Sequence, residues 1–117
     1  MAAALLVAIV ALLQAAFLVI EMVLWDTPTG HKMFHMTPEF ARQSKVLAAN
    51  QGRYNGFLSA GLFWGLWLGR PDGAGVMLFF LVCVLIAGLY GGLTASRNIL
   101  FVQALPAAIA IAGVVLL

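Results

Sequence analysis

Four apolar runs, at positions 2–25, 45–68, 74–94 and 99–117, constrain this chain more than any motif in it. The first, Ala2 to Trp25, is interrupted only by Gln14 and Glu21. At about 1.5 Å of rise per residue, a helix of that length crosses a hydrocarbon layer roughly 30 Å thick. Charged residues make up 9% of the sequence and the mean hydropathy is +1.07. A water-soluble domain carries roughly 25% charged residues, and a chain this apolar would expose a large greasy surface in water. The expected class is therefore an all-α integral membrane protein. It is read as one four-span domain, an up-down four-helix bundle with one cytoplasmic loop carrying a short helix.

The remaining composition narrows function mostly by exclusion. Six basic residues and a net charge of +2 are too few for a nucleic-acid surface. The single cysteine, Cys83, rules out an internal disulfide and reads as packing. Without a basic leader before the first run, cleavage as a signal peptide is not expected. No tail is expected beyond the fourth run.

The first link, 26–44, is the longest. Asp26-Thr27-Pro28-Thr29-Gly30 reads as a turn, because proline fixes φ and glycine permits positive φ. Thr37-Pro38-Glu39 reads as a helix start: cap, proline in the first position, acid in the first turn. That helix either lies along the membrane surface or extends the second span. Arg70-Pro71-Asp72-Gly73 is a tight turn, and Ser96-Arg97-Asn98 a short connection. Lys32, Arg42, Lys45 and Arg97 fall on one side of the bundle and Arg70 alone on the other. The excess of lysine and arginine assigns the first side to the cytoplasm. Both termini are then expected outside, with the large loop in the cytoplasm.

Ala48-Ala49-Asn50-Gln51-Gly52-Arg53-Tyr54-Asn55-Gly56 opens the second span with polar and small residues. At about 100° per residue, Asn50, Gln51, Tyr54 and Asn55 share an arc of roughly 140°. Gly52, Gly56 and Ala60 fall on nearly the opposite face. This small-residue groove lets another helix approach closely, and it is the expected route to a homo-oligomer. Amides in hydrocarbon must find partners, so the amide face is expected to point into the bundle. Counted in turns, Glu21, Asn50 to Asn55, Tyr90 and Gln103 fall in one layer near the cytoplasmic side.

Glu21 is the sharpest member of that layer. An ionised acid near mid-membrane costs roughly 2.5–3.5 kcal/mol on insertion scales and needs an interior partner. Arg53, at compatible depth, is the expected one. A structural ion pair that fixes helix register competes here with a proton-exchanging carboxylate or a ligand counter-ion. The ligand-binding set is accordingly Glu21, Asn50, Gln51, Arg53, Tyr54, Asn55, Tyr90 and Gln103. Hydrogen bonding that merely knits helices together is the competing reading of the amide face. His31, His35 and Glu39 are spaced by four, as metal ligands on one helix would be. Thr37 and Pro38 argue that no such helix runs through them, so no metal site and no cofactor are expected.

The residues Trp25-x-x-Pro28-x-Gly30, Phe34, Pro38-Glu39-Phe40 and the run from Val46 through Gly61 resemble the small membrane proteins grouped as domain of unknown function 1304. The most specific part is Ala49-Asn50-Gln51-Gly52-x-Tyr54-Asn55-Gly56-Phe57. The resemblance covers essentially the whole chain and implies four spans in a bacterial-type inner membrane. It implies no activity and no catalytic residues. Three functions fit: binding or transport of a small molecule by an oligomer, with Glu21 coupled to protons or to a cation; a membrane enzyme or redox subunit acting on a lipid-soluble substrate such as a quinone; and a structural or assembly partner. The first is preferred. Catalysis is disfavoured because no nucleophile or metal constellation is present.

Overall fold

A computed structural model describes residues 1–117. It is all-α and contains no strand. Five α-helices follow in order: α1 (Ala2–Val19), α2 (Pro28–Met33), α3 (Pro38–Leu68), α4 (Ala74–Thr94) and α5 (Leu105–Leu116). A π turn, Ile20–Leu24, continues α1, and a second, Leu100–Ala104, leads into α5. Two helical stretches are long and apolar enough to cross a membrane, Ala2–Leu24 and Ala74–Thr94. Leu100–Leu116 is apolar but shorter. α3 has the length, 31 residues, yet carries the polar run from Asn50 to Asn55 in its middle.

The Thr-Pro cap logic operates twice. At Thr37 the hydroxyl accepts from Phe40 N–H at 3.1 Å, and Pro38 starts α3. The helix then runs unbroken to Leu68, so the helix starting in the loop and the second apolar run are one element of about 46 Å. At Thr27 the side chain accepts from Gly30 N–H at 3.2 Å, and Pro28 starts α2. The expectation of a simple turn at 26–30 is thereby corrected: Asp26 and Thr27 lead into the short helix of the loop. His35, at φ 52°, separates α2 from α3. No helix runs through His31, His35 and Glu39, and His31 instead meets Asp26, Nε2 to Oδ1 3.0 Å. Gly69, at φ 70°, ends α3 in the left-handed conformation that glycine adopts without penalty.

The chain divides into two units, Met1–Leu13 with Leu58–Leu117, and Gln14–Phe57. The first holds a continuous apolar core that includes Val7, Val10, Leu62, Met77, Leu81, Val84 and Ala107. Along α4 the buried positions Met77, Leu81, Val84, Gly88 and Gly92 recur at intervals of three and four, one stripe of an α-helix. At Gly88, α4 comes close to the backbone of the second π turn. A Cβ there would meet Ala104 backbone N at 2.6 Å and Cα at 3.0 Å. Pro106 explains the adjoining π turn: it offers no N–H, and its ring crowds the carbonyl four residues back. Ser59 donates to the Ala11 carbonyl at 2.8 Å, tying α3 to α1 inside this core.

The second unit is tied by side chains around Trp25. Its indole N–H donates to Ser44 Oγ at 3.0 Å. Its ring lies 5.2 Å from that of Phe34. Thr27 Oγ1 also donates to the Leu24 carbonyl at 2.6 Å, stopping the first helical stretch as it caps the next.

Candidate functional site

Within the second unit the last turns of the Ala2–Leu24 stretch lie against the middle of α3. Contact is close because α3 presents glycine there. A Cβ on Gly52 would meet Met22 Cγ at 2.8 Å, Glu21 Cβ at 3.0 Å and the Leu18 carbonyl oxygen at 3.2 Å. A Cβ on Gly56 would meet Leu18 Cδ1 at 2.5 Å. The groove expected to receive a second copy is thus filled at Gly52 and Gly56 by the chain's own first helix, while Ala60 is exposed.

This approach delivers Glu21 to Asn55. The Asn55 amide Nδ2 donates to Glu21 Oε1 across 34 residues of sequence. Asn55 is 4% exposed and Glu21 half-buried. Glu21 sits in the π turn, where the helix is locally widened, a feature frequent at functional sites. The anticipated pairing of Glu21 with Arg53 is not formed. Arg53 is exposed and its guanidinium donates to Asn50 Oδ1, one turn back on its own helix. The chain's single contact between a carboxylate and a basic side chain is Asp26 with His31. The reason is angular: Asn55 lies some 60° from Gly52 around α3 and Arg53 some 100°, so the close face carries the amide and not the guanidinium.

The amide face therefore divides. Asn55 joins the inward glycine side. Asn50, Gln51 and Arg53 are exposed, and Tyr54 is 53% exposed with its ring edge-on to Phe57 at 6.0 Å. The expectation that Asn50, Gln51 and Tyr54 point inward is corrected. With Asn55 these residues share one arc of the helix, but only its Asn55 edge is buried.

Tyr90 and Gln103 belong to the other unit. Tyr90 is 72% exposed near the end of α4. Gln103 is half-buried in the second π turn, so both π turns coincide with a polar interruption of an apolar run. Two hollows of about 360 and 270 Å³ lie in that unit, one near Leu66, Gly69 and Arg70, the other near Thr94, Ser96 and Arg97. Neither is lined by a candidate residue. Of the eight candidates, the structure joins two pairs, Glu21 with Asn55 and Asn50 with Arg53. Chemically, the first pair is a carboxylate held by an amide in apolar surroundings, able to exchange a proton or accept a cation.

Sequence reasoning missed Ser44 and Ser59. Both are hydroxyls on α3 that close contacts with distant partners, Trp25 and Ala11. Their usable signal was position: Ser59 follows Asn55 by four residues and continues the inward stripe.

Comparison with known proteins adds kinship. An uncharacterised protein, YpaA of Lactococcus lactis subsp. lactis (strain IL1403), is 32% identical over 80 residues. That match takes in 67% of this chain and 66% of YpaA, just short of two thirds of the relative's length. No solved structure matches. The model of the family described as protein of unknown function (DUF1304) matches residues 8–115, and the chain belongs to that family.

Proposed function

We propose that the chain is a multi-pass inner-membrane protein that binds or transports a small solute, with Glu21 as its proton- or cation-exchanging group. The observation that carries this reading is the Glu21–Asn55 contact. An acid in an apolar stretch that could cross a membrane is held by a neutral amide, with no cation beside it. A structural ion pair needs its cation, whereas an exchanging carboxylate needs a neutral donor and a vacancy for charge.

Membrane insertion is supported by burial as well as by hydropathy. Only 28% of the apolar window is buried in each of the two candidate stretches. The core helix of a soluble domain hides most of such a face. In the proposed arrangement α3 and Leu100–Leu116 complete four spans, the 26–44 link faces the cytoplasm and both termini lie outside. Reporter fusions at the termini and within the 26–44 link test that orientation. Termini reporting from the side of the link would overturn it.

The functional test uses proteoliposomes with a trapped pH dye. Inward gradients of sodium, potassium or small alkylammonium ions are imposed in turn. The reading expects one of them to move protons in the wild type and in Arg53→Gln, and none in Glu21→Gln. Proton movement that persists in Glu21→Gln removes the carboxylate from the mechanism.

A further inference from the structure

Half of the chain's six cations lie on one helix face. Arg42, Lys45 and Arg53 of α3 are all exposed and fall within an arc of about 80°. Val46, 79% exposed, and Phe57, 58% exposed, lie beside them around the helix. The inward positions Ala41, Ala48, Gly52 and Asn55 occupy a different arc. Acids do little to neutralise this face. Of the four in the chain, Glu21 is engaged by Asn55 and Asp26 by His31, and Asp72 lies outside α3. Glu39, at the start of α3, is the one acid on this side of the helix, and it makes no ion pair with Arg42.

We propose that this face of α3 binds the phosphate headgroups of anionic phospholipids. The proposal rests on the membrane reading above and adds a headgroup preference to it. Counting back about 30 Å of helix from Leu68 reaches Ala49. Arg42 and Lys45 then stand among the headgroups, and Arg53 lies one turn inside the hydrocarbon. The guanidinium of Arg53 is drawn back along the helix toward Asn50, the direction in which a long cationic side chain reaches for the interface. Val46 and Phe57 supply apolar contact for acyl chains on either side of the boundary. A second copy is disfavoured as the occupant. A two-fold contact through this face would set the three cations of one chain against those of the other.

Native mass spectrometry of the full chain, released from nanodiscs of mixed phosphatidylglycerol and phosphatidylcholine, tests the proposal. The wild type is expected to retain phosphatidylglycerol preferentially. The preference falls about fivefold for each cation removed and weakens with added salt. The triple variant Arg42→Gln/Lys45→Gln/Arg53→Gln loses it. A wild type that retains both lipids alike, or whose preference ignores salt, overturns the proposal, and neither measurement depends on a variant folding. Efficient disulfide cross-linking of Val46→Cys in a Cys83→Ala background would place a second copy on this face and also overturn it. Release of the chain from membranes by alkaline carbonate would overturn the membrane reading itself. Retention in carbonate without headgroup preference would overturn this inference alone.

Discussion

Asn55 holds the carboxylate of Glu21, and it does so from the side of α3 that its glycines allow closest to the first helix. The relationship joins an acid that is costly in an apolar helix to the one amide of the Asn50–Asn55 run that is buried. Hydrogen bonding and close packing are therefore one feature here.

Removing the amide exposes its contribution. Asn55→Ala is expected to lower stability by about 1–2 kcal/mol, between the values typical of membrane hydrogen bonds and those of bonds to charged groups. Arg53→Ala should change stability by less than about 0.5 kcal/mol, because its partner is an exposed side chain on its own helix. Reversible unfolding in mixed micelles measures both. A larger loss for Arg53→Ala than for Asn55→Ala would contradict the assigned partner.

Close approach at Gly52 predicts an asymmetry among glycines. Gly52→Ala must displace Met22, Glu21 or the Leu18 carbonyl and should cost about 1–3 kcal/mol. Gly75, with open space around it, gives a control. Gly75→Ala should be neutral or stabilising by up to about 1 kcal/mol, since alanine is the better helix former. Equal melting temperatures for the two variants would show that α3 and the first helix do not pack this closely.

Gly88 faces backbone rather than a flexible side chain. Gly88→Ala has no neighbour that can swing aside and should cost about 2–3 kcal/mol, at the upper end for overpacking. Ala104→Gly is not expected to suppress the loss, because the nearest atoms are the main-chain N and Cα of residue 104. Wild-type thermal stability in Gly88→Ala would remove the contact with the second π turn.

The loop should respond to the loss of its side-chain ties. Thr27→Ala removes the cap of α2 and is expected to cost about 1 kcal/mol. Trp25→Phe and Ser44→Ala each remove one side of the indole–hydroxyl bond. Combined, the two changes should cost less than their sum by about 0.5–1.5 kcal/mol. Strict additivity in this cycle would mean that the bond does not form.

Much of the helical layout was legible in residue order. Ala74 to Thr94 was read with the bounds it has, because an uninterrupted apolar run between a Pro-Gly turn and a polar link leaves little choice. The start of α3 is legible from Thr37 and Pro38, and the same signal at Thr27 and Pro28 opens α2 where the Asp26–Gly30 composition suggests a turn. A cap followed by proline opens a helix whether or not glycine stands two residues later, as Gly30 does here. The inward stripe of α3 was half legible. Gly52 and Gly56 marked where a helix would come near, but sequence spacing cannot say which helix.

Composition and periodicity by themselves determined that the chain is helical, where its apolar runs lie, and that Glu21 needs a neighbour, because hydropathy and helical repeat are properties of local sequence. Only the tertiary structure decided that the neighbour is Asn55, that Arg53 turns outward, and that the glycine groove is filled from within. Each of these depends on the angle at which one helix meets another. A rotation of α3 by about 100°, the step of a single residue, exchanges a guanidinium for the next position on the close face.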